Sequence, residues 1–257
     1  MAAARYKLGE FCWTDLGCKD APAAKDFYSG LFGWTSKDYP MGDGVTYSMM
    51  RIGSKAVCAI YQMTPEMVRA KQPSAWLPYI LVKSADDVAK AAKRAKGKLE
   101  VGPLDVMEYG RMAIVTDPGG AQVALWQAGT NPGADLEGKP GAMTWHDLNT
   151  PKPRAAGPFY TKVFGWKVED QKFSRGAYHL FKLGREGICG MWPEPMKGLR
   201  PSWVTYFRVK DCAKAVAKAK RLGGRALMGT TVVPGIVRFA VLADPQGAVF
   251  GVLQPQR

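Results

Sequence analysis

The apolar and polar positions of the chain follow two periods, one typical of strands and one typical of helices. A short run rich in aromatic and branched residues at positions 10–16 predicts a strand. Asp20 can cap the helix that follows, with Pro22 in its first turn. Apolar residues recur at helical spacing up to Phe32, and Gly33 is placed to end this helix in the left-handed conformation. The pattern therefore predicts a strand followed by an amphipathic helix.

The rest of the first half predicts more strands and a second helix. Strands are predicted at 45–52, 56–62, 76–82, about 99–107, 111–116 and 121–127. Ser84 and Asp87 resemble a capping box before a helix that runs to about Lys96, where Gly97 stops it. Residues 63–73 form a loop or a short irregular helix in this interpretation. The sequence Asp117-Pro-Gly-Gly predicts a tight turn between the last two strands.

The second half of the chain repeats the first. Trp13-Thr-Asp-Leu returns as Trp145-His-Asp-Leu at an offset of 132 residues (145 − 13). The same offset relates the other motifs of the first helix, which are Phe27-Tyr28 with Phe159-Tyr160, and Phe32-Gly-Trp34 with Phe164-Gly-Trp166. Later motifs, Ser74-Ala-Trp76 with Pro201-Ser-Trp203 and Asp117-Pro-Gly-Gly with Asp244-Pro-Gln-Gly, keep a slightly shorter spacing. A duplication on this scale indicates tandem domains.

The order of elements indicates an α+β fold in each half. Helices are separated by groups of strands, and hairpin turns join neighbouring strands, so mixed sheets are expected rather than a doubly wound parallel sheet. A sheet with helices on one face leaves its other face free to curl around a cavity. We assign residues 1–8 to a tail, 9–128 to the first domain, 129–140 to a linker and 141–257 to the second domain.

Composition is that of a soluble globular protein, with 47% hydrophobic and 23% charged residues among 257. No run of eighteen apolar residues predicts a membrane span, and the first residues lack the apolar core of a secretory signal. The five cysteines are odd in number and form no Cys-x-x-Cys pair, which favours reduced thiols. We therefore expect a cytoplasmic protein.

The net charge of +14 gives a sequence pI near 9.6. Much of this excess lies in two lysine-rich helical stretches, 86–98 and 211–225, which are typical of solvated outer faces. The chain has no helix-turn-helix, zinc-finger or RNP motif, so no nucleic-acid partner is expected. Attraction of an anionic small molecule is compatible with the charge.

The repeated motifs together resemble those of the vicinal oxygen chelate superfamily. They are an aromatic strand ending in Asp-Leu, a helix carrying Phe-Tyr and Phe-Gly-Trp, and a closing Asp-Pro-x-Gly hairpin. That superfamily includes glyoxalase I, bleomycin-resistance proteins, fosfomycin-resistance enzymes and extradiol dioxygenases. The resemblance covers 9–128 and 141–257, and is nearest to tandem proteins labelled as glyoxalases or hydroxylases. It implies two tandem domains, each of two paired βαβββ modules whose curled mixed sheets form a cup.

The resemblance also implies a divalent metal in the cup, held by His, Gln or Glu on three strands. The matching positions are Trp13, Leu77 and Ala124 in the first domain and Trp145, Val204 and Gly251 in the second, and none is a metal ligand. The chain has only two histidines, His146 and His179. Strand alternation places His146 on the face opposite Trp145 and favours a structural role. We therefore predict no metal and no other cofactor.

An aromatic cup with few polar groups is typical of a site for a small organic molecule. Candidate lining residues are the repeated aromatics Trp13, Trp145, Tyr47, Tyr79, Tyr178 and Tyr206, for which core packing is the alternative. Asp15 and Asp147 share a face with the two tryptophans and are candidate general acids or bases, or else structural carboxylates.

Two further repeated pairs have alternative roles. Arg111 and Arg238 can bind an anionic ligand or form salt bridges with Asp15 and Asp147, and the sequence favours the salt bridges. Cys58 and Cys189 are interpreted as buried thiols, because no histidine is placed beside either one as a base.

Three functions remain open. The first is metal-free binding of a small, partly aromatic or polyketide-like molecule, with acid–base chemistry by Asp15 or Asp147 as an extension. The second is a metal-dependent glyoxalase-type lyase or dioxygenase, and the third is a non-catalytic interaction module with tryptophan-filled cups. We expect a small-molecule partner, no membrane, and a monomer whose two domains pair, with a further dimer left open.

Overall fold

The computed structural model describes residues 5–41, 45–173, 176–192 and 196–256. The described residues of the first repeat form eight strands and three helices. In chain order they are β1 (Phe11–Cys18), α1 (Ala21–Phe32), β2 (Thr35–Pro40), β3 (Thr46–Ile52), β4 (Lys55–Gln62), α2 (Pro65–Arg69), β5 (Ala75–Leu81), α3 (Ala85–Arg94), β6 (Lys98–Val106), β7 (Gly110–Thr116) and β8 (Gln122–Ala128).

The second repeat has the same order, and its described residues contain no counterpart of the short helix α2. Its elements are β9 (Met143–Asn149), α4 (Pro153–Phe164), β10 (Lys167–Phe173), β11 (Gly176–Leu183), β12 (Glu186–Met191), β13 (Ser202–Arg208), α5 (Cys212–Arg221), β14 (Arg225–Val233), β15 (Val237–Ala243) and β16 (Val249–Pro255). Each repeat is thus two βαβββ modules, which confirms the predicted α+β class.

Each repeat forms a mixed eight-stranded sheet. The strand order is β2-β3-β4-β1-β5-β8-β7-β6 in the first sheet and β10-β11-β12-β9-β13-β16-β15-β14 in the second. The first and last strands of a module pair in parallel, as β1 does with β4 and β5 with β8, whereas the hairpin neighbours pair antiparallel. No helix within the described ranges is long and apolar enough to cross a membrane.

Local sequence chemistry sets the helix ends. The Asp20 side chain accepts a hydrogen bond from the amide of Ala23, and Gly33 ends α1 in the left-handed conformation at φ 76°, as predicted. Ser84 caps α3 through the amide of Asp87. The left-handed residue after α3 is Lys96, at φ 70°, so the helix ends before the Gly97 that the sequence indicated.

Strand β2 was not predicted from the pattern of apolar positions. Five of its six residues are exposed and the sixth is half-buried, because it is an edge strand that offers little to the core. Without a buried face it shows no alternation of apolar and polar residues. Residues 63–73, for which the sequence predicts either a loop or a short irregular helix, contain the single helical turn α2.

The chain divides into two compact units that do not coincide with the two repeats. Unit 1 is Met1–Trp13, Leu77–Gly133 and His146–Trp203, and unit 2 is Thr14–Trp76, Ala134–Trp145 and Val204–Arg257. Each unit therefore combines most of one βαβββ module from each repeat. The domain boundaries assigned from the sequence describe the duplication, whereas the compact units describe how its modules are packed.

Tryptophans of the Phe-Gly-Trp motifs join the repeats within each unit. In unit 1 the Nε1 of Trp166 donates to the carbonyl of Gly9 at 2.9 Å, and in unit 2 Trp34 donates to Gly141 at 2.9 Å. Helix α3 packs on α4 in unit 1, and α1 packs on α5 in unit 2. The core of unit 1 buries Trp166, Phe159 and Trp203 almost completely.

Candidate functional site

The first candidate site, which lies in unit 1, is the hydrogen-bonded pair of the Asp147 carboxylate and the Tyr178 phenol. Asp147 on β9 is 4% exposed and accepts a hydrogen bond of 2.6 Å from the hydroxyl of Tyr178 on β11. Gly190 on β12 lies beside Asp147 in the parallel register. A Cβ atom at Gly190 would lie 1.8 Å from the Tyr178 oxygen, so the absence of a side chain there allows the phenol to reach Asp147. The indole of Trp192 meets the Tyr178 ring edge-on at 5.0 Å.

Unit 2 holds the corresponding pair from the first repeat. Asp15 on β1 is 2% exposed and accepts a hydrogen bond of 3.2 Å from the hydroxyl of Tyr47 on β3. Tyr61, in the place of Trp192, stacks on Tyr47 with 6.3 Å between ring centroids. The Tyr61 ring lies close over Gly17, where a Cβ atom would come 2.6 Å from its hydroxyl. Two of the predicted aromatics and both predicted carboxylates are thus brought together as Asp–Tyr pairs.

Buried thiols lie near both pairs. Cys58 and Cys189 are fully buried, and burial raises the pKa of each thiol well above its usual value, with the charge of Asp15 or Asp147 adding to the effect. Burial, and secondly Asp15, also raises the pKa of the Tyr61 phenol. These groups stay protonated at neutral pH, so they are packing partners of the carboxylates rather than nucleophiles.

The other predicted aromatics are more deeply buried or lie elsewhere in their units. Trp13 and Tyr79 belong to unit 1 and are 5% and 8% exposed, and the Tyr79 ring contacts Trp126 edge-on. Tyr206 belongs to unit 2, is 2% exposed and meets Phe239 edge-on. Trp145, also in unit 2, is half-buried. Their assignment as ligand-binding residues stays a prediction.

Arg111 has partners other than those favoured by the sequence. Its guanidinium contacts both carboxylate oxygens of Asp86 at 2.7 and 3.1 Å, and Asp105 at 2.9 Å. The reason is its place on β7, directly opposite Asp105 on β6 and near the start of α3. The expected pairing with Asp15 is therefore replaced by these two aspartates. Arg238, in the equivalent place on β15, is exposed.

The positions of the superfamily metal ligands do not fit a metal. The parallel register places Ala124 beside Tyr79, and Gly251 beside Tyr206. A Cβ atom at Gly251 would lie 2.0 Å from the Tyr206 ring, so the ring fills the space that a ligand side chain on this strand would need. Within the ranges that the structure describes, no group of three or more His, Cys, Asp or Glu side chains is arranged to hold a metal.

The two histidines lie in different surroundings. His146 is 3% exposed and stacks on Phe11 at 4.0 Å between ring centroids. Burial lowers its pKa to about 3, so the ring is neutral at physiological pH. His179 lies on β11 with its Nδ1 at 2.6 Å from Asp170 on the neighbouring strand β10.

Sequence reasoning missed two residues of the pairs, Tyr61 and Trp192. Both follow the repeated cysteines at the same spacing, as Cys58 precedes Tyr61 and Cys189 precedes Trp192. An aromatic residue repeated at that distance was the available signal, although Tyr in one repeat and Trp in the other made it weaker.

The fold and the residue matches place the chain in a known family. The family model described as Glyoxalase/Bleomycin resistance protein/Dioxygenase superfamily matches residues 11–125 and again 142–252. The chain belongs to this superfamily and carries two copies of its domain.

Two similar proteins match almost the whole chain. The CFP32 protein of Mycobacterium bovis, whose name assigns it provisionally to the glyoxylases, is 38% identical over 252 residues, which are 97% of this chain and 96% of that protein. The anthracycline biosynthesis protein DnrV of Streptomyces peucetius is 32% identical over 261 residues, covering 97% and 94% of the two chains.

Two solved structures share the fold at lower identity. The Mn(II)-bound glyoxalase of Novosphingobium aromaticivorans is 17% identical with a TM-score of 0.66, covering 96% of this chain and 82% of that one. The 2,3-dioxygenase LapB of Pseudomonas sp. KL28 is 11% identical with a TM-score of 0.66, covering 98% and 94%. At this identity the likeness concerns the fold alone.

Proposed function

We propose that each repeat binds a small planar organic molecule of aromatic or polyketide type at its Asp–Tyr pair, without a bound metal. The observation that carries the proposal is the hydrogen bond of 2.6 Å between Tyr178 and Asp147, formed over Gly190. Tyr47 and Asp15 form a longer bond of 3.2 Å, with Ala59 in the register position of Gly190. Each repeat thus buries a carboxylate that accepts a hydrogen bond from a phenol, and burying a carboxylate is costly, so core packing alone does not account for the pairs.

The two groups of a pair offer complementary chemistry. A phenol hydroxyl can donate a hydrogen bond to a ligand carbonyl, and a carboxylate can accept one from a ligand hydroxyl. A molecule with a hydroxyl beside a carbonyl, as in hydroxyquinones, satisfies both groups at once. The ring of Trp192 beside Tyr178, or of Tyr61 beside Tyr47, supplies an aromatic surface for a planar body.

The name of one relative supports this chemical class of ligand. One relative is named for anthracycline biosynthesis, and anthracyclines are planar aromatic polyketides with hydroxyl groups beside quinone carbonyls. The carboxylate of the pair can also take the proton of such a hydroxyl and so act as a general base, which extends the proposal from binding to acid–base chemistry.

The test is an equilibrium titration with 1,8-dihydroxyanthraquinone, followed by quenching of tryptophan fluorescence in the presence of EDTA. We expect two sites per chain. Tyr178→Phe and Asp147→Asn should each weaken one site roughly tenfold, the equivalent of about 1.4 kcal/mol for a lost hydrogen bond. Tyr47→Phe and Asp15→Asn should weaken the other. The matched control is Tyr109→Phe, which removes an exposed hydroxyl outside both pairs.

Two outcomes would reject the proposal. Binding of the quinone that is equally strong in all four variants would show that the Asp–Tyr pairs do not contact it. Absence of binding by the apo protein, together with turnover of a hemithioacetal substrate only after a divalent metal is added, would favour the metal-dependent glyoxalase suggested by the name of the mycobacterial relative.

A further inference from the structure

A second concave surface lies on the other side of strand β11 from Tyr178. It is a groove of about 890 Å³ between helix α4 and strands β10 to β12, all within unit 1. His179 faces it because successive residues of a strand alternate between faces. Its floor is apolar and includes Pro158, Val168 and Met191. This volume is within the usual range for small-molecule sites.

The first repeat shows how the equivalent place is closed. There, Lys25 of α1 reaches across to strand β2, and its Nζ lies 3.0 Å from Asp38. The Asp38 carboxylate also bonds Ser48, and these contacts lower its pKa. The lysine side chain is only 22% exposed, so it fills the space between helix and strand.

The second repeat keeps the aspartate and changes its two partners. Asp170 stands in the place of Asp38, and His179 stands opposite it in the place of Ser48, with the same cross-strand register. Gly157 stands in the place of Lys25. The groove exists because no side chain extends from α4 at that position.

Packing does not require a glycine at position 157. A Cβ atom there would lie 3.6 Å from Val168, which is ordinary van der Waals contact. A glycine inside a helix costs about 1 kcal/mol relative to alanine, and here it is followed by Pro158, also inside α4. Residues that weaken an element without relieving a clash are typical of functional positions.

The charge around the groove is positive. Arg154, Lys162 and Lys167 border it and are exposed. The carboxylate on this side, Asp170, is engaged by His179, and its neighbour Glu169 is paired with Lys182 at 2.7 Å. An apolar floor with three cations at its border is complementary to an anion that carries an apolar body.

We propose that this groove binds a small amphipathic carboxylate, with its apolar chain on Val168 and Met191 and its carboxylate facing Arg154, Lys162 and Lys167. The site is separate from the Asp–Tyr pairs and does not depend on what they bind. Gly157 is the residue that makes room for the ligand.

The test uses octanoate as the probe and the two imidazoles as reporters. Because the chain has only two histidines and His146 is buried on another part of unit 1, each Cε1 proton signal can be assigned by one substitution. Octanoate should shift the His179 signal in a saturable way and leave the His146 signal unchanged. Octylammonium, with the same chain and opposite charge, should bind at least fivefold more weakly, as expected for charge complementarity.

Substitutions at the groove give the decisive comparison. Gly157→Lys copies the first repeat and should close the groove, reducing octanoate affinity by roughly tenfold or more. Gly157→Ala is the matched control for the change in helix propensity and should retain binding. Lys162→Glu with Lys167→Glu, both exposed, should weaken binding without disturbing the core. Unchanged affinity in Gly157→Lys, or equal binding of octylammonium, would overturn the proposal.

Discussion

The hydroxyl of Tyr28 donates a 3.1 Å hydrogen bond to Asp244, which joins the first helix of one repeat to the last hairpin turn of the other. Tyr160 and Asp117 form the same bond, also at 3.1 Å, in unit 1. Each tyrosine oxygen in turn accepts from a tryptophan, Trp76 in unit 2 and Trp203 in unit 1. The Phe-Tyr and Asp-Pro-x-Gly motifs and the repeated tryptophans Trp76 and Trp203 therefore meet in one buried network per unit.

This network predicts a loss of stability in Tyr28→Phe. The change leaves the buried Asp244 oxygen and the Trp76 Nε1 without their shared partner, which costs about 1–3 kcal/mol. Urea unfolding should show a lower midpoint with little change in slope. Tyr109→Phe, at an exposed tyrosine, is the control. A midpoint for Tyr28→Phe equal to that of the control would mean that the hydroxyl does not stabilise the fold.

Gly190→Ala should break the hydrogen bond between Tyr178 and Asp147. The added Cβ atom would overlap the Tyr178 hydroxyl, and the phenol end of a flexible side chain moves more readily than the strand. We therefore expect a small change in stability but a loss of quinone affinity at one site similar to that of Tyr178→Phe. The control is Gly157→Ala, where the new methyl group makes ordinary contact. Quinone affinity that is unchanged in Gly190→Ala would separate Tyr178 from ligand binding.

The buried His146 predicts a specific dependence of stability on pH. Its pKa falls from an ordinary 6.5 to about 3 in the folded protein, so below pH 6.5 the unfolded chain binds a proton that the folded chain does not. Protonation of His146 therefore leaves the free energy of unfolding unaffected above pH 6.5. Between pH 6.5 and pH 3 the free energy of unfolding falls by about 1.4 kcal/mol per pH unit because of this residue.

The measurement is the free energy of unfolding of the wild type and His146→Phe between pH 7.5 and 4.5. Burial raises the pKa values of Asp117 and Asp244, so these two groups make the folded state more stable as the pH falls. Both proteins contain them, so their effect cancels when the two free energies of unfolding are subtracted. The wild type should lose stability relative to the variant below pH 6.5. Parallel curves would show that folding does not lower the pKa of His146.

The cysteines predict slow thiol chemistry in the native state. All five are buried thiols outside any disulfide, and burial, as the leading cause, raises the pKa of Cys18 to about 12. Ellman's reagent should therefore react slowly with the folded protein and rapidly with five thiols after denaturation. Rapid titration of a full equivalent under native conditions would identify a reactive thiol that the structure does not account for.

Much of the fold could be predicted because the same sequence motifs occur in both halves of the chain. The constant spacing of Trp13 and Trp145 identified the repeat, and caps such as Asp20 and Gly33 defined helix ends by local chemistry. The combination of modules within each unit could not be predicted, because contacts such as Trp166 to Gly9 join residues far apart in sequence. Tyr28 and Trp34 belong to the motifs that resemble the superfamily, and in the structure both form buried hydrogen bonds that stabilise the fold.

The candidate sites were predicted less completely than the fold. Strand alternation identified Asp15 and Asp147, but the tyrosine that each one meets depends on the register between strands. The predicted partner of Arg111 was wrong, because the bulged hairpin between β6 and β7 determines that Asp105 lies opposite it. The groove at Gly157 could not be predicted from the shared motifs, because Gly157 stands where the repeats differ, with Lys25 at the equivalent position.

The most direct test of the central claim is the quinone titration of the wild-type protein before and after exhaustive treatment with EDTA, with metal content measured in both samples. Metal-free binding at the Asp–Tyr pairs predicts two sites per chain with the same affinity in both samples. Binding that disappears with the metal and returns with manganese or another divalent ion would contradict it, and would place the ligand on a metal centre instead.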